Sequence, residues 1–152
     1  MDDFLKICQQ CKAKCCKIGG TDFSEEEMKK VIDAGHPDFF VKIDEDHYET
    51  KCNDGVCPYL GKDEACTIHE VRPKLCRRWP VYSSVEAEER KNYLVDCPLA
   101  RVLSQDIILN MVKINEDISS EFVSASIENS QLSEAEKDIV EERFSEFALS
   151  KI

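Results

Sequence analysis

The sequence predicts an α-rich small domain organised by metal, with irregular cysteine-rich loops and one or two short hairpins, followed by a C-terminal segment of two or three helices. Two observations lead to this prediction. All nine cysteines lie before residue 98, and the apolar residues after that point recur at steps of three and four, the period of an amphipathic helix. We therefore predict a cysteine-cluster metal-binding module at 1–98 and an amphipathic helical segment at 99–152, packed on the module or on a partner.

The first group of cysteines contains Cys8, Cys11, Cys15 and Cys16. Cys8 and Cys11 have the C-x2-C spacing with which one tight turn aims two sulfurs at one ion. Cys15 and Cys16 are neighbours, so their side chains diverge. Either each sulfur serves a different metal, or one is a ligand while the other packs or bridges. Four thiolates at about 2.3 Å complete a tetrahedral metal site.

Length and charge limit the classes of function. The 152 residues suit one domain, or one domain with an appendage. The net charge of −11 opposes binding to nucleic acid, which needs a basic face, and to anionic membranes. No apolar run is long enough to span a membrane and no signal peptide is evident, so we expect a cytoplasmic protein. In that compartment, an odd number of clustered cysteines favours metal over disulfides.

The region after the first cysteines predicts one helix and one hairpin. Ser24 and Glu27 form a capping box at the start of an amphipathic helix that ends at Gly35. Two β-prone stretches, 39–43 and 48–50, flank a short acidic segment. This pattern is typical of a small hairpin.

The second half of the chain predicts another hairpin and then helices. Residues 81–82 and 93–95 pair around an acidic loop in this interpretation. Apolar residues at helical spacing predict a long amphipathic helix over 99–118 and a shorter helix around 122–127. A second capping box, which begins at Ser133, predicts a final helix that continues to residue 148.

The second group of cysteines has the most specific pattern. Residues 57–60 read C-P-Y-L, residues 66–80 read C-T-I-H-E-V-R-P-K-L-C-R-R-W-P, and Cys97 is followed by proline. Together with the first group, this order resembles the cysteine-cluster proteins of the zinc- or iron-chelating domain family over about residues 8–98. The resemblance implies eight metal ligands: Cys8, Cys11, Cys15, Cys16, Cys57, Cys66, Cys76 and Cys97.

Several residues near these cysteines have expected secondary roles. Arg72 and Arg77 are expected beside the thiolates, where a guanidinium offsets negative charge and donates hydrogen bonds to sulfur. Cys52 lies outside the family pattern and is expected to be a free thiol rather than a ligand. Trp79 is expected to pack as a lid over the metal site or the core. The three histidines are expected to be surface or packing residues: His36, His47 and His69.

Neither the metal nor the biological process can be assigned from these patterns. Eight thiolates divide into two groups of four, which suits two structural zinc ions or clusters such as [4Fe–4S]. The metal is expected to be mainly structural or to tune redox chemistry.

Three functions stay open at this point. The first is a metal-binding protein without catalysis. The second is an iron–sulfur-dependent redox or protein-modifying enzyme or accessory subunit, because a related cysteine cluster occurs in flagellin lysine methylases. The third is a scaffold that binds a protein partner, or a second copy, through its C-terminal helices. The sequence offers no Ser-His-Asp arrangement, phosphate-binding loop or dinucleotide-binding glycine pattern, so no catalytic residue is named.

Overall fold

The structure is a computed structural model that describes residues 6–7, 14–19, 21–128, 130 and 132–152. In this part of the chain, the fold is mixed α/β and contains two three-stranded antiparallel sheets. The prediction of an α-rich domain followed by a helical C-terminal segment is therefore wrong. The difference arises because the second hairpin is much longer than predicted and because a further strand follows the last helix.

The described helices and strands have the following bounds. The helices are α1 (Glu25–Asp33), α2 (Lys74–Arg77), α3 (Pro98–Val102), α4 (Gln105–Glu116), α5 (Ser120–Glu128) and α6 (Glu134–Phe144). The strands are β1 (Asp22–Phe23), β2 (Phe40–Asp44), β3 (His47–Thr50), β4 (Val81–Glu86), β5 (Glu89–Asp96) and β6 (Ala148–Lys151). Short 3₁₀ helices occur at Lys14–Lys17 and His69–Val71.

The first sheet has the strand order β1-β3-β2, and its β2–β3 hairpin confirms the hairpin predicted in this region. Helix α1 packs beside it. The core between them contains Phe23, Val31, Tyr59 and Ile68, each no more than 2% exposed. Cys57 and Cys66 pack against this core, so the loops that carry them are fixed to the first sheet.

The predicted capping box of α1 is confirmed, and it has a second role. The Ser24 Oγ accepts from the Glu27 N–H at 3.2 Å, and Glu27 Oε1 accepts from the Ser24 N–H at 3.0 Å. The other carboxylate oxygen of Glu27 accepts from the backbone N–H of Lys74 at 2.7 Å. Lys74 is the first residue of α2, so the cap of one helix also fixes the start of the helix that carries Cys76.

The second sheet has the order β4-β5-β6. The predicted pairing of residues 81–82 with 93–95 is confirmed, but the strands continue to a two-residue turn at Ala87 and Glu88. Both turn residues have positive φ, 50° and 63°, which matches the twist of a tight hairpin. Strand β6 pairs with β5, with Leu149 opposite Val95. The final helix therefore ends at Phe144 and does not continue to residue 148 as predicted.

The long helix predicted over 99–118 is also wrong, because it is divided into α3 and α4. Leu103 has an extended backbone, and the Ser104 hydroxyl accepts from the Ile107 N–H at the start of α4. The extended Leu103 ends the first helix, and Ser104 caps the second, since its hydroxyl accepts from a backbone N–H that has no helical acceptor. The shorter helix predicted around 122–127 is confirmed as α5.

A buried polar network joins α4 to the second sheet. The side-chain oxygen of Asn115 accepts from Arg78 Nη1 at 2.7 Å and from the Ser83 hydroxyl at 2.8 Å. Arg90 donates to the backbone oxygens of Asn115 and Ile118 near the end of α4. The network therefore fixes the Arg78 side chain. Among the described residues, no helix is long and apolar enough to cross a lipid bilayer.

Candidate metal centre and adjoining cavity

Cys16 lies beside Cys57 because the two loops that carry these residues are hydrogen-bonded to each other. The Cys57 N–H donates to the backbone oxygen of Cys16 at 2.8 Å. Further along, the Gly19 N–H donates to the oxygen of Gly55 at 2.7 Å. Gly55 has φ of +77°, a conformation that glycine adopts without strain. These contacts bring the first cysteine segment against the second.

A compact turn holds Cys57 and Cys66 near one another. The Leu60 N–H donates to the oxygen of Cys57 at 3.1 Å, and Leu60 forms an isolated antiparallel bridge with Cys66. The backbone oxygen of Tyr59 accepts from both the N–H and the hydroxyl of Thr67, at 2.8 and 2.6 Å. The positions of both thiols are therefore set by backbone hydrogen bonds within one short loop.

Helix α2 supplies the third part of the centre. Pro73 precedes its first residue as the N-cap, and Cys76 lies on the helix. The Thr21 side chain forms a hydrogen bond with Cys76, which connects α2 to the residue just before β1.

Four thiols from these segments lie within electrostatic range of one another: Cys16, Cys57, Cys66 and Cys76, called the four-thiol cluster below. Burial raises the pKa of Cys57 to about 12 and that of Cys66 to about 11, and it raises the pKa of Cys76 further. Negative charge on Cys16 adds to the increase at all three. Each sulfur therefore disfavours charge on the others unless a cation is shared among them.

The remaining predicted ligands have different surroundings. Cys8 and Cys11 lie outside the described residues. Cys15 is partly buried and lines the cavity described below. Cys97 is buried just before α3, where its charge acts on Arg101. Within the described ranges, no group of three or more Cys, His, Asp or Glu side chains is arranged to hold a metal ion, so the assignment of ligands stays a prediction.

Cys52, which lies outside the family pattern, is close to the four-thiol cluster. Its sulfur is 3.8 Å from the backbone oxygen of Thr50, and its charge contributes to the raised pKa of Cys57. The cysteine spacing did not predict this proximity, because Cys52 follows β3 and lies outside the patterned segments.

A cavity of about 750 Å³ adjoins the cluster. Three of the four clustered thiols line it, and so do residues of α6. Helix α6 is held there by Arg143, whose Nη1 donates to the backbone oxygens of Lys17 at 2.8 Å and Asp54 at 3.0 Å. A Cβ at Gly55 would lie 2.8 Å from a methyl carbon of Val140 on this helix. The helix therefore rests directly on the loops that bring Cys16 and Cys57 together.

A buried acid–histidine pair also borders the cavity. Asp22 lines it, and its Oδ2 is 2.5 Å from Nε2 of His47, which is 4% exposed and stacks on Phe122. Burial raises the pKa of Asp22 above its ordinary value. The hydrogen bond to Asp22 raises the pKa of His47. His47 is thus one of the packing histidines that the sequence predicted.

The predicted arginines occupy different positions. Arg72 lines the cavity, donates from Nε to the oxygen of His69 at 2.9 Å, and lowers the pKa of Cys66 by its charge. Arg77 is exposed on α2. Arg78, which the sequence analysis did not single out, is 7% exposed and lines the cavity. Burial, and then the charge of Arg90, lowers its pKa to about 10, so it stays protonated at neutral pH.

Trp79 follows Arg78 and also lines the cavity. Its ring meets that of Phe147 edge to face, with centroids 5.6 Å apart. Trp79 therefore lies next to the predicted metal region, near the place where the second sheet and α6 meet.

Comparison with known proteins gives one match. The model of the CxxCxxCC family, described as a putative zinc- or iron-chelating domain, matches residues 7–98. No curated protein matches the chain, and no solved structure does. The matched range is more than half of the sequence and includes every cysteine. The chain therefore belongs to the CxxCxxCC family.

Proposed function

We propose that this chain is a metal-binding protein in which the four-thiol cluster supplies the ligands of one centre. The supporting observation is that thiols from three separate segments lie within electrostatic range of one another beside the core. Four thiolates suit zinc or an iron–sulfur cluster, both of which take complete sets of cysteine ligands. Arg72 lies where its charge offsets part of the negative charge of such a centre.

The metal has mainly a structural role in this proposal. Between β3 and α2 the chain has little regular secondary structure, and isolated bridges and one short 3₁₀ helix order it. A metal that draws the sulfurs together would connect this loop to α2 and to the Cys16 segment. Structural zinc contributes on the order of 10 kcal/mol to folding in small domains. The family pattern extends the proposal to Cys8, Cys11, Cys15 and Cys97 as ligands of a second centre.

Stoichiometric metal analysis and circular dichroism test this function. The full chain, purified anaerobically, should contain zinc or iron, and chelation under reducing conditions should reduce its helical and sheet signals. Cys76→Ser should lower the metal content, whereas Cys52→Ser should leave it unchanged. A fully demetallated protein with an unchanged spectrum would exclude a structural role.

The cavity favours a second candidate, an iron–sulfur-dependent redox or protein-modifying enzyme or accessory subunit. A space beside the thiols gives a substrate access to a bound cluster, which a closed structural site does not need. An anaerobic preparation should then show the visible absorbance of an iron–sulfur cluster and lose it on reduction. A colourless protein with stoichiometric zinc would rule this candidate out.

A further inference from the structure

Arg78 is a buried cation whose hydrogen-bond and ring contacts are with neutral groups, although the charge of Cys76 also acts on it. Its Nη1 donates to Asn115 Oδ1 at 2.7 Å, and its guanidinium carbon lies 5.8 Å from the centroid of the Tyr82 ring. In the described part of the chain, no carboxylate forms an ion pair with it. A guanidinium carries five N–H donors, and burying its charge without a counter-ion is costly. An anion in the cavity would remove much of this cost.

The nearby carboxylates do not supply that counter-charge. Asp22 is paired with His47, and Glu64 with Lys17 at 2.7 Å. Glu49 accepts from the hydroxyl of Ser130. Arg90, in contrast, adds a second positive charge near Arg78. Glu141 of α6 also lines the cavity, but none of these four carboxylates forms an ion pair with Arg78 in the described part of the chain.

The same cavity has an apolar surface next to Arg78. Trp79, Tyr82 and Phe144 line it, together with Leu99 and Val140. Its volume of about 750 Å³ lies within the range of small-molecule sites. A mainly apolar wall with a few fixed polar groups is the usual composition of such sites.

We propose that this cavity binds a small organic carboxylate, with the carboxylate group paired to Arg78 and an aromatic or aliphatic body packed against Trp79, Tyr82 and Phe144. Arginine matches carboxylates through two parallel N–H donors. The site needs no metal, so this inference goes beyond the proposed function. It also differs from a role for Arg78 in offsetting the charge of the thiolates, and the experiment below separates the two roles.

Binding of 2-naphthoate and its neutral analogue 2-naphthamide to the full metal-containing chain tests the proposal. Isothermal titration calorimetry gives both affinities, and the fluorescence of Trp79, the single tryptophan, reports binding in the cavity. We expect 2-naphthoate to bind at least tenfold more tightly than 2-naphthamide and to change the Trp79 emission. Equal affinities, or no change in emission, would overturn the proposal.

Arg78→Gln should raise the Kd of 2-naphthoate at least tenfold and leave that of 2-naphthamide unchanged. Arg101→Gln is the matched control, because it removes the same charge from an exposed arginine that pairs with Asp96. This control should keep the wild-type preference for the carboxylate. If Arg78→Gln loses metal but retains that preference, the arginine serves the thiolates and the proposal is wrong.

Phe144→Ala provides a second variant if Arg78→Gln does not fold. It keeps the charge of Arg78 and should weaken both probes by a similar factor, while unchanged affinities would contradict the assigned apolar wall. Metal content is measured on every sample. Carboxylate binding to a protein that proves to hold no metal would refute the proposed function and leave this inference intact.

Discussion

Glu27→Ala tests the connection between the cap of α1 and the helix that carries Cys76. The substitution removes the half of the capping box in which Glu27 Oε1 accepts from the Ser24 N–H, and it removes the 2.7 Å hydrogen bond from the Lys74 N–H. Loss of the capping interaction costs about 1 kcal/mol. Loss of a charged acceptor for a backbone N–H costs about 1.5 kcal/mol at a partly exposed site. The free energy of unfolding should therefore fall by about 2–3 kcal/mol.

Urea unfolding, followed by far-ultraviolet circular dichroism on metal-containing protein, measures this difference. Glu26→Ala is the matched control, since Glu26 is exposed on the same turn and makes only a 3.9 Å ion pair with Lys30. Its loss should cost about 0.3 kcal/mol. Glu27→Ala should also weaken metal binding, because it loosens the start of α2. If the two variants were equally stable, the proposed link between α1 and α2 would be refuted.

Two further predictions concern the loops and the buried histidine. Gly55→Ala should destabilise the fold by about 2–4 kcal/mol in thermal or urea unfolding, because it combines positive φ with a Cβ 2.8 Å from Val140. Gly35→Ala has positive φ but no atom within 4 Å, so it should cost only about 1 kcal/mol; an equal loss would show that contact with α6 is unimportant. The hydrogen bond to Asp22 raises the pKa of His47 above its ordinary value of 6.5, so the stabilisation from this pair is complete below that pH and is lost as pH rises through the folded pKa. The difference in the free energy of unfolding between wild type and His47→Gln should therefore shrink as the pH rises from about 6 to about 9. Urea unfolding at intervals of about one pH unit measures it, and a difference that grows would contradict the assigned direction.

Features set by neighbouring residues were predictable from the sequence. The cap of α1 needs only Ser24 and Glu27, and the cap of α6 needs only Ser133 and Glu136; both are present as predicted. The first hairpin also follows from local β-prone segments. These features depend on interactions within a few residues, which sequence patterns record well.

The features that the sequence did not predict depend on distant partners. Strand β6 forms because the edge of β5 offers backbone groups to a short exposed segment, and nothing in the Ala148–Lys151 pattern distinguishes it from the end of a helix. Arg77 and Arg78 are identical in type and adjacent, yet only Arg78 is buried, because Asn115 on α4 accepts from it. The division of α3 from α4 was recoverable, since Ser104 is a capping residue within an otherwise periodic apolar pattern.

The sequence named candidate ligands but not their arrangement. The family pattern named the cysteines, and it gave no indication of which sulfurs would approach one another. Cys16 meets Cys57 because Gly19 and Gly55 pair along their backbones, a contact between separate segments. The cavity depends on α6, which lies outside the matched range, so the family pattern could not reveal it.

X-ray absorption at the metal edge tests the central claim most directly, because it counts the ligands of the bound metal. The proposal predicts zinc or iron surrounded by sulfur at about 2.3 Å. Replacing Cys57 with serine should reduce the sulfur count, while Cys52→Ser should leave it unchanged. Coordination of the metal mainly by nitrogen or oxygen atoms, or a sulfur count unaffected by Cys57→Ser, would contradict a centre built by the four-thiol cluster.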